Sequence, residues 1–340
     1  MLDGLEKYLK NTKKADLKKL EDIAKCSIID PAGQPKRYEI KIRKNPVFNS
    51  RSRIAPEREK RKTETISLGF KTPPSMECFF CDPKKKCAKF DKENGLEEQY
   101  FLNDSVAFPN LFSFGNMHGV VVFNYKQHIK DARGLTAGNW ADGIKLVQEV
   151  GKTSNKKYVS MNVNSGFKAA SSLEHFHGQF HCEDEPLAKT SQAMKSGNKE
   201  YWKSWVKALL EIGLVIDFDK ESKTVLYVEW APSFGKTEFV VLNLENPSFK
   251  NMSEKGIKAV AKFLDKAIRI TMNNVSDQFN IINLSASPKD DFCNQFRIFS
   301  RSPLENGVKS WEGYVEAMDE TVPHIIPERL AEIVKISEKN

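Results

Sequence analysis

The sequence predicts an α+β protein in which helices flank an extended, mainly antiparallel sheet built as two similar halves. Three observations carry this expectation. Short runs rich in Val, Ile and Phe alternate with helical patterns twice over, in the same order. No apolar run approaches the length needed to cross a bilayer. The chain has 340 residues, enough for two domains or one large pseudo-symmetric unit with an ample core.

The elements follow in chain order. Leu5, Leu9, Leu17, Leu20, Ile23 and Ala24 recur at helical spacing, so residues 2–29 read as an amphipathic helix within an N-terminal extension over 1–35. Residues 30–75 read as strands and loops rich in proline and basic residues. Ser105 to Tyr125 reads as strand. A helix is expected from Asn139 to Thr153, with Trp140, Ile144, Val147 and Val150 on one face. A second helix is expected from about Ala188 to Ile212, around Trp202, Trp205, Leu209 and Leu210. The later part repeats the plan: strands at 214–216, 225–229 and 238–242, a helix at 253–272, then strands at 279–284 and 296–299. The expected divisions are 36–190 and 191–340.

The chemistry concentrates between Asn164 and His181. His175, His177, Gln179 and His181 alternate, so an extended strand presents them on one face. Upstream, Ser165, Gly166, Ala169, Ala170, Ser171 and Ser172 are small enough for a phosphate to approach the backbone. Such a strand can equally be inert, or hold a structural metal alone.

Cys78 and Cys81 form a C-x-x-C pair, half of a tetrahedral zinc site. Cys87 is near, but no second C-x-x-C exists. The completing ligands are sought among His118, His128, His175, His177 and His181. Six cysteines and an N-terminus without an apolar signal core favour metal or catalytic thiols over disulfides and a cytoplasmic location. The formal net charge is +8, with Arg51, Arg53, Arg58, Lys60, Arg61 and Lys62 clustered. Nucleotide phosphates suffice to explain that charge, and no nucleic-acid fold signature accompanies it. No membrane partner is expected.

Taken together, these motifs resemble the galactose-1-phosphate uridylyltransferase-like family of the histidine-triad superfamily. The resemblance runs through Arg43-Lys-Asn-Pro46, Pro56-Glu-Arg58-Glu-Lys-Arg61, Cys78-Phe79-Phe-Cys81, Asn103-Asp104 and His128. It then matches Asn-x-Gly-x-x-x-x-x-Ser-x-x-His-x-His-x-Gln at Asn164, Gly166, Ser172, His175, His177 and Gln179 without a gap. It implies two histidine-triad-like halves; here the second reads Asn294-Gln-Phe-Arg-Ile-Phe-Ser300 without a histidine, the main departure from the family pattern. It implies His177 as nucleophile towards the α-phosphorus of a nucleotide, with Gln179 hydrogen-bonding the transferring group and Ser172 beside it. Cys78, Cys81, His128 and His175 would bind one structural zinc, although ligand type also admits iron. Arg58, Arg61, Asn164 and Gly166 would lie near the phosphates, and Phe79, Asn103 and Asp104 along the base and ribose. Lys309 and Tyr314 would belong to the sugar-binding segment. The partners implied are a nucleotide sugar and a phosphorylated acceptor, and a homodimer.

Departures mark the acceptor side. Glu174 and Phe176 replace the prolines usual around the nucleophile, Val315 stands where the hexose-binding glutamate is expected, and Thr321 where a glutamine is. Valine accepts no hydrogen bond from a sugar hydroxyl. Lys168 reads as a solvated lysine, His118 as a strand-start residue, and His324 lies in a distal polar stretch. His181 reads either as a partner of the site or as an exposed strand end. Three functions stay open: nucleotidyl transfer to a sugar phosphate, phosphorolysis of a nucleotide sugar or dinucleoside polyphosphate, and an idle zinc-stabilised nucleotide-binding protein.

Overall fold

Ten strands pair in a single antiparallel ladder whose order repeats itself about its centre. In the computed structural model, which describes residues 2–29, 35–54, 78–91, 95–111, 113, 115–166, 169–171, 173–234, 237–301, 320–321, 323 and 325–337, the first five are β4 (Tyr100–Leu102), β5 (Ser105–Pro109), β6 (His118–Val122), β7 (Tyr158–Ser165) and β8 (His177–Glu183). The second five are β9 (Val215–Asp219), β10 (Thr224–Val228), β11 (Glu238–Asn243), β12 (Phe279–Leu284) and β13 (Gln295–Ser300). Their spatial order is β4-β5-β6-β8-β7-β12-β13-β11-β10-β9. Each half is a three-strand meander, a helix and two further strands, and the halves meet where β7 pairs with β12. The α+β fold with a large antiparallel sheet flanked by helices is thus what the sequence predicts.

The connecting helices are α3 (Ala137–Thr153) and α6 (Glu254–Asn274). Thr136 caps α3 in a reciprocal box with Asn139, and Ser253 caps α6 through the Gly256 amide. Trp140, Ile144, Val147 and Val150 are fully buried, and the Trp140 ring lies 4.5 Å from that of Phe123. Strand alternation separates two apolar sets. Val121, Phe123, Met161, Val163 and Phe180 join the helices in the main core, whereas Val106, Phe108, Val120 and Val122 form a smaller cluster with Phe80 on the other face.

Over the C-terminal half that other face meets a second sheet of β1 (Glu21–Ile29), β2 (Pro35–Asn45), β3 (Ser50–Ile54) and the parallel β14 (Glu320–Thr321). Arg43, Asn45 and Ser52 donate to the carbonyls of Trp230, Ala231 and Pro232. Among the described residues, no helix is long and apolar enough to cross a membrane.

Three expected elements are corrected. The helix over 2–29 is confined to α1 (Asp3–Tyr8). Leu5 and Leu9 are buried there, but Glu21–Ile29 pairs along its whole length with β2. Pairing wins because Ile23, Ile28 and Ile29 suit a strand and β2 supplies partners, which outweighs a weak helical propensity. Ser105–Tyr125 is two strands, β5 and β6, folded back so that Val106 faces Val122. The helix over 188–212 is α4 (Ala188–Ser196) and α5 (Lys199–Glu211). Gly197 ends the first, and Asn198 caps the second through the Tyr201 amide at 2.9 Å. Among the described residues, the remaining helices are the short α2 (Pro83–Lys86) and α7 (Pro327–Ser337).

Candidate active site

Strand β8 divides its side chains by parity. Phe180 and Cys182 enter the main core; His177, Gln179 and His181 face the other way, opposite Val122, Val120 and His118 of β6. Asn162 of β7 stands opposite Gln179 on the other side. The site therefore lies in the N-terminal half of the face that the second sheet covers further along.

Four ligand atoms converge just before β8 begins. Those of Cys78, Cys81, His128 and His175 all lie within 4.8 Å of one another. His175 Nδ1 is 3.3 Å from Cys78 Sγ and 3.5 Å from Cys81 Sγ, and His128 Nδ1 is 3.4 Å from Cys81 Sγ. Tetrahedral zinc with ordinary Zn–S and Zn–N bonds has S···N edges of about 3.5 Å, so the spacing fits one ion. The electrostatics fit as well. Burial, then the neighbouring Cys78, pushes the Cys81 thiol up to about 11, a strain that a divalent cation would relieve. Burial pushes His175 down to about 4, leaving a neutral imidazole. Its Nε2–H donates to the Asn124 carbonyl at 2.8 Å, which turns the Nδ1 lone pair towards the thiols. Cys87 stands outside this group and donates to the Phe79 carbonyl.

His177 begins β8 two residues on. It is 5 % exposed, and the Phe80 ring meets it edge-on at 5.0 Å. Its Nδ1–H donates to the His175 carbonyl at 2.8 Å, so the lone pair is on Nε2. Burial lowers its pKa, so the ring is neutral at pH 7 and needs no prior deprotonation to act as a nucleophile.

Beyond Gln179 the structure adds a residue that sequence reasoning undervalued. His118 does start β6, but its Nε2 lies 2.9 Å from Gln179 Oε1. Its ring stacks on that of His181 at 4.6 Å and 1°. His181 is buried, not an exposed strand end, and its Nδ1 lies 3.8 Å from Glu183. A period of two through His118, Val120 and Val122 was the available signal.

The described small residues, Gly166 and Ala169 to Ser171, close on one another through their backbone. Gly166 has φ +82°, and a Cβ there would come within 2.7 Å of Gln278. Its carbonyl accepts from the amides of Ala169 and Ser171, both at 3.1 Å, and Ala170 is left-handed at φ +64°. Asn164 accepts from Asn280 Nδ2 at 2.6 Å and donates to the Ala170 carbonyl at 3.4 Å, so the second half braces Asn164 and Ala170. Asn280, like Asn124, carried no local motif by which to find it.

The other expected residues divide three ways. Phe79 is 43 % exposed in the turn that carries the two cysteines. Asn103 and Asp104 form the tip of the β4–β5 hairpin, where Asn103 donates to Asp142 at 2.9 Å and Asp104 pairs with Lys126 at 2.7 Å. Arg58, Arg61, Lys168, Ser172, Lys309, Tyr314, Val315 and His324 lie outside the described residues.

No family model and no curated protein matches the chain. Solved structures do. An ADP-glucose phosphorylase from Arabidopsis thaliana with bound ADP-glucose superposes with a TM-score of 0.65 at 17 % identity, over 87 % of this chain and 98 % of its own. A galt-like protein from Arabidopsis thaliana gives 0.63 at 16 % identity, over 86 % and 98 %. A uridylyltransferase gives 0.59 at 15 % identity, over 88 % and 98 %. The chain shares its fold with these three structures along most of its length.

Proposed function

We propose that the chain is a nucleotidyltransferase that passes a nucleoside monophosphate from a nucleotide sugar to a sugar phosphate or related phosphate through a covalent adduct on His177. The observation that carries this reading is the tautomer of His177: a buried neutral ring with Nδ1–H tied to a carbonyl and Nε2 bearing the lone pair. Nε2 would form a bond to the α-phosphorus while the bond to the leaving phosphate oxygen breaks and its electron pair departs with that group. The ring becomes cationic, and its Nδ1–H···O bond strengthens as it does so. In the second half-reaction an acceptor phosphate oxygen would attack the same phosphorus and the P–N bond would break, restoring the neutral imidazole.

Gln179 would donate to the transferring phosphoryl oxygens, with Asn164, Gly166 and Ser172 beside it and Arg58 and Arg61 supplying charge. Phe79, Asn103 and Asp104 would bind the nucleoside, and Lys309 and Tyr314 the acceptor. Cys78, Cys81, His128 and His175 would hold zinc, which supplies structure by fixing the residue that leads into His177. The catalytic half would be 36–190, the half without catalytic histidines 191–340, and 1–35 an added element.

Phosphorolysis is the second reading, favoured by Val315 where a hexose-binding glutamate is expected and by the likeness to an ADP-glucose phosphorylase. One experiment addresses both. Intact-protein mass spectrometry after brief incubation with UDP-, ADP- and GDP-sugars should show one nucleoside monophosphate on the wild type and none on His177→Gln. Discharge of that adduct by inorganic phosphate would select phosphorolysis; discharge only by a sugar phosphate would select transfer. An adduct that persists in His177→Gln would overturn the assignment.

A further inference from the structure

Gln179 can serve the transferring phosphoryl group only with its amide the right way round. A carboxamide has a donor end and an acceptor end, and turning it over places an oxygen lone pair where a phosphate oxygen must sit. Gln179 is only partly buried, and its Oε1 meets a ring nitrogen of the adjacent strand.

We propose that His118 is a positioning residue that fixes the Gln179 amide, its Nε2–H donating to Gln179 Oε1 so that the NH2 group faces the reacting phosphorus; this rests on the nucleotidyl-transfer reading. The two residues lie on adjacent strands with Val120 between them in the register: Val120 faces Gln179, and His118 faces His181. The diagonal offset suits a long amide reaching back to a ring, and the contact is 2.9 Å. Asn110 Nδ2 also approaches the same ring nitrogen, at 3.4 Å. One nitrogen cannot donate to Gln179 and accept from Asn110 together, and the shorter contact takes the proton.

The parallel ring of His181 at 4.6 Å holds the His118 plane, and Gly119, with no side chain on that strand, lets the Phe180 ring pack directly beside it. The Nε2 donor is present whether His118 is neutral in this tautomer or protonated. The contact therefore depends on the tautomer and not on the charge. The ring acts through Gln179 and touches no substrate itself.

The test is a double-mutant cycle on single-turnover formation of the His177 adduct. His118→Phe keeps a ring for His181 to stack on but removes the donor. It should slow adduct formation about 10-fold, the scale of one hydrogen bond, with nucleotide-sugar Kd unchanged. His118→Gln, whose amide nitrogen reaches as far as Nε2, should recover most of that rate. In a Gln179→Ala background, His118→Phe should cost nothing further. An equal loss in both backgrounds, or no loss with Gln179 present, would overturn the proposal. If the wild type forms no adduct, the nucleotidyl reading fails by itself. The Gln179 side-chain amide resonances then decide: a shift in His118→Phe supports the contact, and unchanged resonances overturn it.

Discussion

Gly119 shows how little room the site leaves at the scale of one residue. It faces Phe180 across β6 and β8, and a Cβ there would lie 2.1 Å from the ring's Cζ. The ring is fully buried and cannot swing away, so Gly119→Ala forces either Phe180 or the strand to move. The expected cost is about 1–3 kcal/mol, read as a lower midpoint in urea at unchanged slope. A variant as stable as the wild type would mean the ring has slack. Because Phe180 sits between Gln179 and His181, adduct formation should fall with it. Much at this scale was legible: the alternation of His175, His177, Gln179 and His181 put three of the four side chains on one face of β8. His175 precedes the strand, where its ring is claimed by Asn124 and the thiols. What stayed hidden was contact across strands. His118 is separated from Gln179 by sixty-one positions, and only the register brings them together.

At the scale of elements, the loop bearing Cys78 and Cys81 is tied to β8 through His175 and to the segment after β6 through His128. Four ligand atoms from three chain segments converge there, so a cation held among them would tie those segments together. Removing metal with a chelator should lower the thermal midpoint by several degrees and raise hydrogen exchange over 78–91 and 124–130, while α6 keeps its protection. Exchange unchanged in those segments would mean that the cluster holds no stabilising ion. Elements whose apolar pattern is strong, α3, α6 and β12, were readable within one or two residues. Those decided by partners were not. Residues 21–29 carry a helical pattern weakly and a strand's partner strongly, and the break at Gly197–Asn198 was a glycine followed by a capping residue inside an otherwise helical run.

Across the whole molecule the repeat sets the candidate site of one half beside its counterpart in the other. In β13, Gln295, Arg297 and Phe299 face Leu242, Val240 and Glu238 of β11, just as His177, Gln179 and His181 face Val122, Val120 and His118. The position of Gln179 is thus taken by an arginine that is wholly buried. Arg297 donates to Glu229 at 2.6 Å, to Glu238 at 2.5 Å and to Gln295 at 2.7 Å, and lies over the rings of Phe48 and Phe234. Where the first half carries the candidate site, the second carries an ion cluster roofed by the loops that meet the small sheet. In the sequence this difference is visible only as missing histidines. Arg297→Met would leave two carboxylates buried without their cation, at a cost of about 3–5 kcal/mol. One guanidinium faces two carboxylates, so the cluster carries a surplus negative charge when both are ionised. Burial foremost, with repulsion from Glu238 and against the pull of Arg297, pushes Glu229 up to about 7. The sign follows from linkage: the folded chain holds this proton more tightly than the unfolded one. Stability from it is complete below the unfolded carboxylate's range and is lost as pH rises through about 7. Glu229→Gln, which carries the neutral form at every pH, should therefore flatten the fall in denaturation midpoint between about pH 5 and pH 8 relative to wild type. A wild-type slope retained in that variant would place the titrating group elsewhere, and the cluster would then be ionised throughout.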